Sequence, residues 1–173
     1  VLGHEMVVAN KYGLRFAVWP GRSCGACRFC QAGRENLCES MEITGFHRDG
    51  GFARRINLPV KSLIPLPDSL DTHTACFAEP VACVVNAFEK AEAAQGQRVL
   101  IYGAGTMGLI AGLYARSLGL APFLLEKSQA KIDRVHPFLD AAGLICAKET
   151  DAGEFDMALN CCADYTAFCQ AVT

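Results

Sequence analysis

The sequence predicts an α/β chain in two parts, a β-rich stretch over residues 1–70 and a nucleotide-binding type of fold over residues 71–173. Three observations predict it. Short apolar runs broken by Gly, Pro and Asn fill the first part, the pattern of a small irregular barrel. Within them Cys24, Cys27, Cys30 and Cys38 stand at C-x2-C-x2-C-x7-C. Further on, a strand-like run enters Gly103-Ala104-Gly105-Thr106-Met107-Gly108 and leaves it as helical sequence, opening an alternation of strands and helices.

Composition narrows the function classes. Hydrophobic residues make up 51% of the 173 and charged residues 20%, with a net charge of −2. Nothing in that balance offers a basic surface for nucleic acid. No basic-plus-apolar leader is present, so secretion is not expected. Residues 99–125 are apolar enough to raise a membrane span, yet their glycines and Pro122 resolve them into strand, helix and strand. The six cysteines outside the loop (Cys76, Cys83, Cys146, Cys161, Cys162, Cys169) sit in apolar or helical contexts, as buried thiols of a reducing, cytoplasmic setting would. The start at Val1 and the stop in Ala171-Val172-Thr173 read as those of a fragment.

Taken in order, residues 1–9 read as β, residues 10–13 as a turn and residues 14–19 as a short strand that Pro20-Gly21 turns into the cysteine loop. The loop is poor in long apolar side chains, so its order needs another source. Four thiolates at this spacing close a tetrahedral shell around one zinc ion. A disulfide pair and an iron–sulfur cluster compete, but the seven residues before Cys38 and Glu39 after it do not follow ferredoxin spacing. A shell closed by four thiolates leaves no place for substrate, so this zinc is structural. His47-Arg48-Asp49-Gly50-Gly51 reads as a turn, residues 52–58 as strand-like and residues 60–66 as another strand. His4 and Glu79 each have a bland reading, a hydrogen-bonded histidine and a carboxylate at a helix N-terminus. Val81, Val84, Val85 and Phe88 then recur at amphipathic spacing.

In the second part residues 98–102 are a buried strand. The first glycine of the turn permits the bend, the second lets backbone approach a pyrophosphate, and the third allows close helix–strand packing. Ile110, Leu113, Tyr114 and Leu118 mark one face of the helix. Residues 123–125 form the next strand and end on Glu126, placed to accept hydrogen bonds from an adenosine ribose. A carboxylate there repels a 2′-phosphate, which favours NAD over NADP, although Lys127 offsets part of that charge. Ser128 caps a helix carrying Ile132 and Val135, which Pro137 ends or kinks. Strands over 143–146 and 155–160, a loop over 151–153 and a helix over 164–173 complete the first half of a doubly wound sheet.

Gly3-His4-Glu5, the four-cysteine loop, Ala78-Glu79-Pro80 at a helix start and the glycine turn, in that order, resemble the zinc-containing medium-chain alcohol dehydrogenases, and within them the sorbitol and other polyol dehydrogenases. The resemblance implies a partial GroES-like β-barrel with a structural-zinc lobe, followed by the first half of a Rossmann sheet. It implies structural zinc on Cys24, Cys27, Cys30 and Cys38, and a second, catalytic zinc on His4 and Glu79, with Glu5 beside them. Cys83 is the weaker candidate for the position of Glu79. NAD is implied at Gly103, Gly105, Thr106, Met107, Gly108 and Glu126, with hydride transfer from a small alcohol or polyol. A homodimer or homotetramer is implied, with neither membrane nor nucleic acid as partner. The chain also departs from the family pattern. A cysteine ligand upstream of Gly3 is absent, the stretch from His4 to Cys24 is short, and the second half of the sheet is missing. A second expectation therefore stands beside the first, a non-catalytic zinc-binding module of the same family. The four-cysteine loop disfavours a zinc-free quinone-reductase-like relative.

Overall fold

Asn10 makes the first hairpin. Its Oδ1 accepts the N–H groups of Tyr12 and Leu14 at 2.9 and 3.0 Å, closing a turn. The turn pairs β1 (Val7–Ala9) antiparallel with β2 (Arg15–Val18), Val8 opposite Phe16. β3 (Gly21–Arg22) precedes a short α1 (Arg28–Gln31) and pairs with β4 (Glu42–Ile43), clasping the cysteine loop between them. β5 (Leu63–Pro65) adds to the other edge of β2, giving the order β1-β2-β5. Asp71 caps α2 (Thr72–Ala75), its side chain accepting from the N–H of Thr74. The computed structural model describes residues 1–150 and 153–171. They fall into two compact units, Val1–Pro80 and Val81–Thr173.

Four details of the first unit correct the sequence reading. Of residues 1–9 only Val7–Ala9 is strand. The segment before it is held by the N–H groups of Gly50, Gly51 and Phe52, which bond the carbonyls of Val1, Gly3 and Leu2 at 2.8, 2.8 and 3.0 Å. Residues 52–58 form bends and irregular backbone, not a strand, with Arg54 and Arg55 exposed. Gly21 begins β3 instead of making the turn. Residues 60–66 divide into a turn of 3-10 helix, Val60–Ser62, and β5.

α3 (Ala78–Lys90) starts at the end of the first unit and carries Val84 and Phe88 into the core of the second. That core surrounds a four-stranded parallel sheet in the order β8-β7-β6-β9, made of β6 (Arg98–Tyr102), β7 (Ala121–Leu125), β8 (Ile145–Ala147) and β9 (Met157–Asn160). α4 (Thr106–Ser117), α5 (Gln129–Ala142) and α6 (Tyr165–Ala171) connect and follow the strands. Val99, Ile101 and Leu124 are fully buried, as central strands covered on both faces require. Residues 99–125 thus resolve into strand, helix and strand, and among the described residues no helix is long and apolar enough to cross a membrane. The expected loop over 151–153 falls partly, and the end of the expected helix over 164–173 also, outside the described residues.

The buried face of α4 matches the expected one only in part, with Ile110 and Tyr114 packed against the core. Gly108, Ala111, Gly112 and Ala115 turn inward, whereas Leu113 and Leu118 stay exposed. Small residues win because the helix lies against the sheet: a Cβ on Gly112 would already stand 3.2 Å from the Leu124 side chain. Pro137 neither ends nor breaks α5, which runs on to Ala142 and closes on Gly143 in the left-handed region. Buried Leu139 and that cap hold the last turn despite the missing donor.

Gly108 fixes the start of α4, since a Cβ there would collide with the Gly103 carbonyl oxygen. Gly108→Ala is expected to lower stability by about 1–3 kcal/mol in urea denaturation, the usual cost of overpacking. Gly105→Ala, with nothing within 4 Å of its added methyl, is expected to change stability by under about 0.5 kcal/mol.

Candidate functional site

The cysteine loop brings its four sulfurs within 4.8 Å of one another. Cys24 and Cys30 Sγ are 3.9 Å apart and Cys27 and Cys30 Sγ 3.5 Å. Sulfurs at the corners of a tetrahedral zinc shell lie about 3.8 Å apart, while a disulfide bond spans about 2.0 Å. The donor set and its spacing therefore fit zinc and do not fit disulfides. Backbone N–H groups also point at the sulfurs, from Cys24 to Cys38 Sγ at 3.2 Å and from Cys27 to Cys24 Sγ at 3.3 Å.

Electrostatics agree with the geometry. The Ala26 and Cys27 N–H groups hold the Cys24 thiol below its ordinary pKa. N–H groups of Cys30 and Glu39 bring Cys27 down to about 6. Burial first, and then the neighbouring Cys27 sulfur, push Cys30 up to about 12. Crowded thiols titrate as a set, and without a cation the last protons are held tightly. Around them Ser23 donates to Glu35 at 2.5 Å, and Arg28 pairs with Glu39 at 3.0 Å.

A second group forms in the same unit. His4 Nε2 lies 3.8 Å from Glu5 Oε1 and 3.8 Å from Glu79 Oε2, and the three ligand atoms all fall within 4.8 Å of one another. One imidazole nitrogen and two carboxylates are donors that zinc accepts. The backbone of His4 is placed by glycines. A Cβ on Gly45 would stand 2.6 Å from the Gly3 carbonyl, and one on Gly50 would collide with the Gly3 oxygen. The Phe46 ring packs against the imidazole with centroids 4.7 Å apart. The Glu79 carboxylate, set by the first turn of α3, is thereby joined to a residue far away in sequence. Cys83 lies outside this group and lines a cleft of the second unit. His47 has a local role, its Nδ1 accepting the Ile43 N–H at 2.8 Å.

The glycine turn builds the third group. Gly103 takes φ +99°, in the left-handed region, and its N–H bonds the Leu125 carbonyl at 2.7 Å, tying β6 to β7. Gly105 is the N-cap of α4, with open space where a Cβ would stand. Thr106 is exposed at the first position of α4, and Met107 packs partly into the core. A cleft of about 500 Å³ adjoins the turn, bordered by Gly103, Glu126 and Lys131 among others. Glu126, only 5% exposed, accepts from the N–H groups of Ala104 at 3.2 Å and Ser128 at 3.0 Å and from Lys131 Nζ at 2.8 Å. Burial acts to raise its pKa, but the Lys131 ammonium and the two N–H groups outweigh it and hold the carboxyl below the ordinary value.

Lys131 stands in the first turn of α5, whose N-cap, Ser128, is two residues after Glu126, and that place is its signal in the sequence. Lys127, the neighbour expected to offset Glu126, pairs instead with Asp164.

Comparison with known proteins gives consistent relatives. Residues 1–68 match the family model of the alcohol dehydrogenase GroES-like domain. The chain is 33% identical over 169 residues to L-galactonate-5-dehydrogenase of Escherichia coli K12, covering 92% of this chain and 48% of that protein. It is 33% identical over 134 residues to L-idonate 5-dehydrogenase (NAD(P)(+)) of the same organism, covering 70% and 39%. The chain thus spans about half the length, or less, of these curated relatives. Among solved structures, L-idonate 5-dehydrogenase of Escherichia coli superposes with TM-score 0.84 at 26% identity, over 99% of this chain and 56% of that one. A protein of Sinorhizobium meliloti 1021 assigned as a zinc-binding dehydrogenase and bound to NADP gives TM-score 0.84 at 28% identity, with coverage of 99% and 56%.

Because its folded-state pKa is depressed, Glu126 contributes stability that is fully present above the unfolded-state carboxylate pKa and is lost as pH falls through the folded value. Thermal unfolding from pH 7 down to pH 3 should show that acid-side loss. Glu126→Gln is expected to cost about 1–3 kcal/mol at pH 7 and to flatten the acid slope.

Proposed function

Because the chain belongs to the zinc-containing medium-chain alcohol and polyol dehydrogenase family, we propose that the protein it represents oxidises a small alcohol or polyol by hydride transfer to NAD. The observation that carries this reading is the meeting of His4, Glu5 and Glu79 within 4.8 Å, in a chain that also holds a four-thiol cluster and a glycine turn.

Each residue has a role in that reading. Cys24, Cys27, Cys30 and Cys38 hold a structural zinc that orders residues 24–38. His4, through neutral Nε2, and Glu79, through a carboxylate oxygen, hold the catalytic metal, with Glu5 adding negative charge beside them. Zinc held there supplies Lewis acidity toward the substrate hydroxyl, favouring its alkoxide. Phe46 keeps the imidazole in the orientation that points Nε2 at Glu79, and with Phe52 it walls an apolar recess of about 290 Å³ beside His4. Gly103, Gly105 and Gly108 let the dinucleotide pyrophosphate approach the α4 N-terminus, where Thr106 and Met107 begin the helix. Glu126 receives the adenosine ribose while Lys131 balances its charge. Nicotinamide chemistry belongs to the cofactor, and the chain supplies its binding. The relatives' names point to sugar-acid and polyol substrates, and the class proposed for this protein is that of a secondary alcohol within a polyol. A reducing, cytoplasmic setting and a homodimer or homotetramer complete the proposal.

One observation favours a second reading, a zinc-binding module without catalysis. Among the described residues only the cysteine cluster offers four donors to one ion. Zinc analysis with an activity assay separates the two. Two zinc ions per chain and alcohol-dependent formation of NADH are expected for the enzyme. His4→Ala should then lose one of the two ions and at least about a hundredfold in rate, the scale of a group acting in the transition state. One zinc per chain with no NADH formed at any polyol concentration would leave the module.

A further inference from the structure

Among the described residues Glu126 is the buried charged side chain, and its oxygens are largely committed within the protein. Oε2 accepts the Ala104 N–H at 3.2 Å and the Lys131 ammonium at 2.8 Å, and Oε1 accepts the Ser128 N–H at 3.0 Å. A carboxylate has about four lone-pair positions, so about one is left for a ribose hydroxyl. The bond to Ala104 reaches into the glycine turn itself.

Ala104 is buried, and its N–H shares a peptide plane with the Gly103 carbonyl. In a trans peptide the two groups point in opposite directions. The N–H faces Glu126, and the carbonyl oxygen faces Gly108, where an added Cβ would collide with it. The plane is thus held at both ends. It needs holding, since Gly103 at φ +99° has no side chain to restrict rotation of the peptide.

We propose that Glu126 is a positioning residue for the pyrophosphate as well as an acceptor for ribose, fixing the Gly103–Ala104 peptide in the orientation that leaves the α4 N-terminus open to an anion. The inference rests on the reading of the glycine turn as the dinucleotide site. An ionised carboxylate only accepts, so it admits the Ala104 N–H and excludes the Gly103 oxygen from that side. Turned over, the peptide would aim that oxygen at the cleft bordered by Gly103 and Glu126, where it would repel phosphate. Lys131 and the Ser128 N–H hold the carboxylate itself in place.

Replacing Glu126 by Gln separates this role from two others. A Gln side chain both donates and accepts, so it tolerates either orientation of the peptide. It also removes a negative charge near an anionic ligand, so charge alone would give tighter binding. A role confined to the ribose would give a loss only for ligands that carry the ribose hydroxyls.

The test uses the zinc-loaded chain and calorimetry with ADP and with 2′,3′-dideoxy-ADP, which lacks those hydroxyls. Glu126→Gln is expected to bind both at least about fivefold more weakly, a loss of about 1 kcal/mol. Leu139→Ala, which hollows the core near the other end of α5, should bind both as the parent chain does. In the 15N-labelled parent chain, ADP should shift the Gly105 and Thr106 amide signals. The Ala104 signal, its N–H still given to Glu126, should barely move. A loss for ADP alone in Glu126→Gln, or tighter binding of both ligands, overturns the inference. Equal weakening by Leu139→Ala overturns it too, as does a parent chain that binds ADP but not the dideoxy ligand. An Ala104 amide that moves as far as that of Gly105 overturns it without any variant. If the parent chain binds neither ligand, the dinucleotide reading falls and the inference with it.

Discussion

Backbone pressed against backbone, where no side chain fits, is the constraint that the glycine turn and the His4 group both depend on. In the second unit Gly108 meets the Gly103 carbonyl, which locks the end of β6 to the start of α4. That contact leaves Gly105 facing open space at a helix N-terminus, the arrangement that binds phosphate. In the first unit Gly45 and Gly50 meet Gly3, which clamps the segment that presents His4. The backbone N–H groups of Gly50, Gly51 and Phe52 complete that clamp. Each contact joins segments through atoms that barely flex, so the functional side chains inherit their positions from glycines nearby.

The cysteine lobe follows another rule. α1 buries none of its residues, and within the loop Cys38 is the buried apolar residue. Hydrophobic burial there is too small to offset the entropy of ordering the segment. Four sulfurs crowded within 4.8 Å of one another are equally unsuited to stand alone. A divalent cation resolves both difficulties, drawing off protons and linking residues 24–38 into one body. In the proposed reading the lobe is ordered by coordination, while the second unit is ordered by a core of Val99, Ile101, Leu124 and the residues around them.

The sequence announced features whose physics is local. Cysteine spacing, the glycine turn, the strand 98–102, the Ser128 cap and Glu126 at a strand end each follow from residues close together in the chain. Features decided by distant partners were not legible. The run 52–58 has strand-forming residues but no strand beside it, because Phe52 spends its N–H on Leu2. The inward face of α4 is only half legible, since Ile110 and Tyr114 pack inward while Leu113 stays exposed, and close approach to β7 selects glycine and alanine beside them. Lys131 is not legible as a partner of Glu126, because only the folded turn brings its ammonium there. The meeting of His4 with Glu79 is of the same kind. Neither residue on its own carries more than a bland reading, and the resemblance alone joined them.

The proposed reading gives this chain two chemically different metal sites, one of sulfur and one of nitrogen and oxygen. Zinc K-edge absorption on the fully loaded chain tests it most directly. Two shells are expected, sulfur at about 2.3 Å and nitrogen or oxygen at about 2.0–2.1 Å, with the second shell lost when His4 and Glu79 are replaced. A spectrum fitted by sulfur alone at full loading would contradict it.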